Sequence, residues 1–454
     1  MIQTDTILGP KELLEILRNQ ERAEFKALLR TQPEPVVDAA FEEANFEERL
    51  EFLRLMPVER AAHGFTDLPM PEQVAVISAL ASDRIRVMGA YIGPDEIADL
   101  LQEIDDPTTR EHLLNALPKT LAASALELLQ YNQDDAGGMM TPEFVALKEG
   151  WTAQHALSFL RLAAEHAETV SNLFLVDAGG RLTGVIALHA LVTAPGSARV
   201  DDLARRDIIS AKTDTDQEDV ARLMRDYDLL VIPIVDSDGV LKGIVTIDDV
   251  VDVIQEEATE DIYKGAAMEG SEIDYLRTNP FELWRKRVFW LMALSISEFL
   301  TVNVTSNYEK LIAQQAILSS FIAALIGTGG NTGSQSAVLI IRAISLGQLR
   351  GRDTWRVFLK ELTTGVMLGA TLAVLAYFRV KFFYAKAGDG IALTVAFSIL
   401  LIVLSANIIG AMLPIAFHKM KIDPALTSSP FIATIMDATG LLIYFNIAKL
   451  VLGL

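Results

Sequence analysis

Asp437 is the only acidic residue between Pro424 and the C-terminus, and it lies deep inside the apolar run SSPFIATIMDATGLLIYF. A lone carboxylate at that depth in a bilayer costs at least ~2.5 kcal/mol unless it faces a polar interior. It therefore marks an ion site, with a structural salt bridge as the plainer alternative. Ala433 and Thr434, one turn before it, and Gly440, one turn after, keep that face small and open. Glu298 lies in another apolar stretch and has Arg342 as an available partner, which favours a structural role. A polar glycine cluster, GTGGNTGSQ at 327–335, divides a further apolar stretch. A phosphate-binding loop is excluded there, because Gly333 is followed by Ser334 rather than Lys and the flanks are apolar. Two readings remain open. The glycines let helices pack closely, or they interrupt a helix where it lines a cavity, with freed carbonyls facing a cation. The second reading is the sharper, and it makes Gly330, Asn331 and Gly333 part of a permeation path.

Such a site needs membrane helices to hold it. Apolar spans can be drawn at about 286–306, 311–346, 355–380, 390–417 and 425–452, each reaching the roughly 20 residues that cross a hydrocarbon core. Five helices are expected. Arg285, Lys286 and Arg287, then Arg350, Arg352 and Arg356, then Lys419 and Lys421 fall on one side of them. That side is cytoplasmic by the distribution of basic residues. Glu309, Lys310, Arg379, Lys381, Lys386 and Asp389 on the other side are fewer and mixed in sign. The N-terminus is then inside and the C-terminus outside.

The charge is divided along the chain in the same way. The net charge of the 454 residues is −21, yet residues 281–454 hold 15 Lys/Arg against 8 Asp/Glu. The remaining 24 basic and 52 acidic residues give the first 280 a net charge of −28. So acidic a region repels nucleic acid and attracts cations. The absence of cysteine excludes disulfides, thiol catalysis and cysteine metal sites. His63, His112, His155, His166, His189 and His418 show no metal-binding or triad spacing, so no enzyme is expected. The first twenty residues carry no basic and apolar signal pattern, so the N-terminal part should stay in the cytoplasm.

Within that acidic part, residues from about 10 to 135 alternate short apolar-periodic segments with Pro, Gly and Asp-Pro stops, the pattern of short helices. Leu173–Val192 then aligns without gaps to Ile232–Val251. In each copy a β-branched run, a turn, a second strand and a helix follow in order. This repeat, over about 139–255, is similar to a tandem pair of CBS domains, modules that bind adenosine nucleotides or ions and usually pair as dimers. In the second copy Thr246 and Asp249 keep the spacing by which CBS domains hold a ribose, whereas the first has Ala187 and Ala190. The following stretch, DDVVDVIQEEATEDIYKGAAMEG, reads as one acidic helix. Its Asp249, Asp252, Glu256 and Glu260 share a face at three- and four-residue spacings, where like charges repel without a counter-ion.

IGTGGNTGSQSAVLIIRAISLG, IIGAMLPIAFHKMKIDPAL and SSPFIATIMDATGLLIYF together resemble the MgtE family of magnesium channels, as do LLQYNQDDAGGMMTPEFVAL and DDVVDVIQEEATEDI. Thr332 departs from the family pattern, which more often has a small residue there. The resemblance covers nearly the whole chain and implies a multidomain membrane protein of the cell's inner membrane. Its parts would be an all-α N-terminal superhelical domain (1–138), an α/β tandem CBS pair (139–199 and 200–255), a connecting helix (256–280) and an α-helical membrane domain with five spans per subunit (281–454). It also implies a homodimer in membrane lipid, with the pore at the subunit interface. The family's selective aspartate falls on Asp437 and a backbone carbonyl on Ala433. Magnesium suits this arrangement, since it dehydrates reluctantly and is held by one or two carboxylates through retained water. A potassium filter of the TVGYG kind is absent. The family's regulatory magnesium ions would fall on Asp95 and Asp99, on Asp216, Glu218 and Asp228, and on Asp249, Asp252, Glu257, Glu260 and Asp261. They would hold the gate shut when internal magnesium is high. ATP is an expected ligand of the CBS pair, through Thr246 and Asp249. Against this stand two other readings: a CBS-regulated transporter of another divalent cation, and a membrane-anchored sensor of magnesium or nucleotide.

Overall fold

The computed structural model describes residues 7–19, 22–164, 167–268, 275, 278–349, 351–384 and 388–453. Arg350, Lys386 and His166, named above, lie outside the described residues, as does part of the expected connecting segment at 269–274 and 276–277. Two compact units meet in sequence at Ile254 and Gln255.

Among the described residues the first unit opens with ten short α-helices, α1 (Pro10–Arg18) through α10 (Lys119–Leu128). Their length is set by punctuation. Prolines stand in the first turn of α1, α3 (Glu34–Glu43), α6 (Met70–Ala79), α8 (Pro94–Glu103) and α9 (Pro107–Ala116), where the missing N–H costs nothing. Asn45 caps α4 (Phe46–Leu55) reciprocally with Glu48, at 3.0 and 2.9 Å. Phe25, Phe41 and Phe52 meet edge to face in the interior. The buried Arg49 is neutralised by Glu72 and donates to the carbonyls of Phe41 and Glu42 at 3.1 and 2.8 Å, so its charge is fully partnered.

Two sheets follow, and they repeat one another with a constant offset. In the first, β1 (Ala146–Lys148) pairs parallel to β2 (Asn172–Val176), which pairs antiparallel to β3 (Leu182–Ala187). In the second, β4 (Ala211–Lys212), β5 (Val231–Val235) and β6 (Leu241–Thr246) pair in the same senses. Both hairpins shift register at the same place, at Leu175/Val176 and at Ile234/Val235. Asp177 and Asp236 each close the hairpin turn by accepting two backbone N–H groups, and Gly180 and Gly239 complete it with φ of +78° and +81°. The two turns then exchange bonds: Leu182 N–H donates to the Gly239 carbonyl and Leu241 N–H to that of Gly180. That reciprocity is a pseudo-two-fold axis between the repeats. Helices α11 (Ala153–Ala163), α12 (Leu188–Thr193), α13 (Val200–Leu203) and α14 (Gln217–Asp226) pack around the sheets. The expected acidic helix is α15 (Ile247–Gly265), continuous from the end of β6.

The second unit is helical. It contains α16 (Pro280–Asn307), the short α17 (Glu309–Gln314), α18 (Ser319–Ser345), α19 (Thr354–Phe383), α20 (Gly388–Lys419) and α21 (Ser429–Leu452). Among the described residues four helices, α16, α19, α20 and α21, are long and apolar enough to cross a membrane. Helix α18, at 27 residues, is comparably long. Its Gly, Thr and Ser residues make it less apolar, and its buried face is covered by α20 and α21. The core of the unit gathers Leu325, Ile402, Ile432, Met436, Tyr444 and Phe445, and the buried Tyr444 hydroxyl donates to the Leu318 carbonyl at 2.9 Å.

Candidate functional site

The glycine cluster of α18 does not interrupt the helix: residues 319–345 are continuously helical. The expected break is therefore corrected in favour of close packing, and the contacts give the reason. A Cβ at Gly410 of α20 would stand 2.2 Å from the Gly333 carbonyl oxygen, and one at Gly333 would stand 2.8 Å from Ile432 of α21. Side chains essentially never tolerate such distances, so only glycine brings these backbones together. The hydroxyls of Thr328 and Thr332 bond back to Ala324 and Thr328 within the helix, at 2.7 and 2.8 Å. The carbonyls of Gly330 and Gly333 are accordingly part of a regular helix, and the Asn331 side chain is exposed.

Gly330 meets α21 at Ala433, where an added Cβ would lie 3.3 Å from that of Ala433. Ser429 and Ser334 link the same two helices through their hydroxyls at 2.9 Å. One turn beyond Ala433 is Asp437, half-buried, with no hydrogen bond or ion pair to any described residue. Two of the sequence-derived pore residues, Gly330 and Ala433, are thus brought together, with Asp437 directly above them on α21. No ion pair joins Glu298 to Arg342 among the described residues. The charge of Glu298 acts on Asp437 instead.

The sequence reading missed Glu361 on α19. Its Oε2 accepts from Asn407 Nδ2 at 2.6 Å and from the Ser336 hydroxyl at 2.9 Å, and its backbone carbonyl accepts from Asn407 at 3.0 Å. Ser336 and Asn407 are buried, so one carboxylate ties α18, α19 and α20 together. The signal was present: Glu361 is an acid inside a drawn span.

A second group of carboxylates gathers in the first unit. Asp95 and Glu96 at the start of α8, Glu168 before β2 and Asp249 on α15 act on one another. Burial, and then the charges of Asp249, Glu96 and Glu168, push the Asp95 carboxyl up to about 8, against a smaller lowering by its own backbone N–H. Its Oδ1 is shut off from solvent and has no hydrogen-bond donor. Glu96, Glu168 and Asp249 are also raised, mainly by desolvation. Glu96 and Glu168 keep exposed edges, so the desolvation is weightiest at Asp95. Thr246 donates its hydroxyl to Asp249 at 2.8 Å, which joins the two expected ribose contacts to each other.

The other expected regulatory acids are spread out. Asp216 caps α14, accepting from the Glu218 N–H at 2.9 Å, whereas Asp228 follows the far end of that helix with φ +52°. Ten helical residues, about 15 Å, separate them, too far for one ion. Asp99 is one turn along α8 from Asp95, and Asp252 and Glu257 lie on α15. At the end of α15, the Lys264 ammonium bonds Glu260 at 2.7 Å and Asp423 at 2.6 Å. Burial alone lowers the Lys264 value, but these two hydrogen bonds outweigh it and hold the ammonium charged. Asp261 accepts from Ser345 at 3.3 Å and is raised by burial and by Asp423. Asp423 was not foreseen from sequence. Among the described residues no three acidic or histidine side chains converge tightly enough to hold a metal.

Known proteins resemble the chain along most of its length. Residues 322–447 match a family model described as the MgtE divalent cation transporter, residues 33–134 the MgtE intracellular N domain, and residues 136–196 and 200–256 the CBS domain. The chain is 41% identical to the magnesium transporter MgtE of Thermus thermophilus over 91% of its own length and 92% of that protein. It is 30% identical to the magnesium transporter MgtE of Bacillus subtilis, covering 96% of each. The crystal structure of the cytosolic domain of the Mg2+ channel MgtE in complex with ATP is 38% identical, with a TM-score of 0.52, covering 54% of this chain and 99% of that one.

Proposed function

The chain belongs to the MgtE family of divalent cation transporters, and on that premise we propose that it transports magnesium across a membrane along a path lined by Asp437. The observation that supports this most is the half-buried Asp437 carboxylate, without a cationic partner among the described residues, one turn beyond the point where Ala433 of α21 packs closely on Gly330. A hydrated, doubly charged ion supplies the missing counter-charge through its retained water. A homodimer would place two copies of Asp437 on one ion. The five long helices α16 and α18 to α21 are the spans, with the basic loops and the N-terminus in the cytoplasm and the C-terminus outside.

The acidic first unit is the gate. Asp95, Glu96, Glu168 and Asp249 do not converge tightly enough to coordinate an ion directly, but their charges repel and the Asp95 Oδ1 lacks a partner, so a divalent cation that keeps its water among them would be favourable. Magnesium bound there, at Asp216 and Glu218, at Asp228, and along α15 would remove the repulsion and favour a closed state. ATP would sit at the second CBS repeat through Thr246 and Asp249, in line with the ATP complex of the similar cytosolic domain.

Magnesium entry into proteoliposomes carrying an enclosed dye tests this reading. Entry should be fast with magnesium-free lumen and should slow as magnesium accumulates on the cytoplasmic face. Entry at the rate of empty vesicles under both conditions would refute it. A preference for manganese or cobalt in competition would move the cargo to another divalent cation.

A further inference from the structure

Helix α16 presents a half-buried stripe, Leu294, Ser297, Thr301, Val304, Thr305 and Tyr308, to the rest of the second unit, and Glu298 sits at its rim. Helix α16 packs on α21. Tyr308, directly after α16, stacks on Phe445 with ring centroids 4.8 Å apart, and the exposed Glu298 lies near enough for its charge to act on Asp437. The two pairs run in the same sense along the chain, so the helices are parallel. Glu298 is ten residues before Tyr308 and Asp437 eight before Phe445, about 15 and 12 Å along the two axes, which sets both carboxylates at nearly one depth.

Neither carboxylate has a hydrogen bond or an ion pair with a described residue, and the charge of Glu298 acts on Asp437. Two acids at one depth of a membrane unit, with no basic group between them, are tolerable only beside water or a cation. Lipid is excluded as the surroundings of Glu298 on the same ground, although its neighbours Phe299 and Leu300 are exposed apolar residues suited to lipid. One turn along the same stripe, the Thr301 hydroxyl is sealed from solvent and has no hydrogen-bond partner, a second polar group that lacks a ligand.

We propose that Glu298 is a second carboxylate of the ion path, paired with Asp437, and that it sets the affinity with which the path draws in a hydrated divalent cation. The proposal rests on the transport reading above. In a dimer the pair would double the acid lining the path from two carboxylates to four. Glu298 acts at longer range than Asp437, through the water around the ion, so it governs concentration dependence more than maximal rate.

Initial rates of magnesium entry into proteoliposomes, measured across external magnesium concentrations for wild type, Glu298→Gln and Glu298→Asp, test it. Glu298→Gln should raise the half-saturating concentration about three- to tenfold, with maximal rate within about twofold of wild type. Glu298→Asp, which keeps the charge, should stay within about twofold of wild type in both. An unchanged half-saturating concentration in a well-folded Glu298→Gln protein would overturn the proposal. So would equal losses of maximal rate in both variants, which would mark a structural residue. Should Glu298→Gln fail to fold, Glu298→Ala in the same assay decides: a raised half-saturating concentration at near wild-type maximal rate supports the proposal, and an unchanged one refutes it. Absence of entry in wild type itself would strike the transport reading instead.

Discussion

Two intramembrane carboxylates in the second unit have opposite settings, and their chemistry differs accordingly. Glu361 is saturated by donors from Ser336 and Asn407, whereas Asp437 has none. The first is a tie between helices. Glu361→Gln keeps an acceptor oxygen for both donors and should leave stability close to wild type. Glu361→Ala leaves one buried Asn407 N–H without its acceptor, while Ser336 keeps the Asn407 carbonyl at 3.1 Å and Asn407 keeps the backbone carbonyl of residue 361, and it should cost about 1–3 kcal/mol. Thermal unfolding in detergent, compared between the two variants, checks this; equal stability of both would show that the hydrogen bonds carry little. Sequence alone disclosed Glu361 as an acid in a span, but its partners lie 25 and 46 residues away on different helices, and no local pattern points to them. The rotation of α16 about its axis was hidden for the same reason. Arg342 is a chemically sensible partner for Glu298, but no ion pair joins them among the described residues, and the charge of Glu298 acts on Asp437 instead.

At the scale of single elements, α18 is defined by what its glycines omit. Gly333→Ala inserts a methyl group 2.8 Å from Ile432, and the neighbouring helix must move to receive it. A cost of about 1–3 kcal/mol is expected, the usual range for overpacking, together with lost transport, because the same helix carries Gly330 beside Ala433. Gly327→Ala meets nothing within 4 Å and should be neutral or slightly stabilising in the helix. Unfolding and uptake measured on the pair check this, and an equal response at both positions would contradict the packing account. A glycine-rich polar stretch serves a broken helix and a close helix contact equally well in sequence, which is why both readings stood until the position of α20 was known. The hairpins of the repeat were legible because their information is local. Turn aspartates, positive-φ glycines and alternating β-branched residues recur at a fixed offset, and the register follows them residue by residue.

Over the whole molecule the dominant fact is charge: −28 on the first 280 residues. Each close pair of like charges costs ~1 kcal/mol in water and more when partly buried. Bound ions moving the gate from mostly open to mostly closed must together prefer the closed state by ~5.5 kcal/mol, which several modest sites can supply. The Asp95 carboxyl makes the charge effect measurable. Its value in the fold, about 8, lies above the ordinary 3.8, so the folded state binds that proton more tightly than the unfolded chain. Its stabilising contribution is complete below about pH 4 and is lost as pH rises toward 8. In the absence of divalent ions the melting temperature of the first unit within the intact protein should fall across that window. Added magnesium should restore stability strongly at pH 8 and weakly at pH 5, where protons compete for the same oxygens. Asp95→Asn should flatten the pH dependence, and an unchanged slope in that variant would place its origin elsewhere. The intrinsic acidity was plain from composition, but the meeting of α8 with α15 that concentrates it depends on tertiary packing.

The central claim is that magnesium passes beside Asp437, and the most direct measurement compares magnesium entry through wild type and Asp437→Asn in proteoliposomes with a magnesium-free lumen. The substitution is nearly isosteric and removes only the charge. A carboxylate about 4 Å from a divalent ion is worth several kcal/mol at an effective dielectric constant near 20. Entry through a folded variant should therefore fall at least about tenfold, with no change in the thermal stability of the first unit. Entry at the wild-type rate would contradict the account and move the path away from α21.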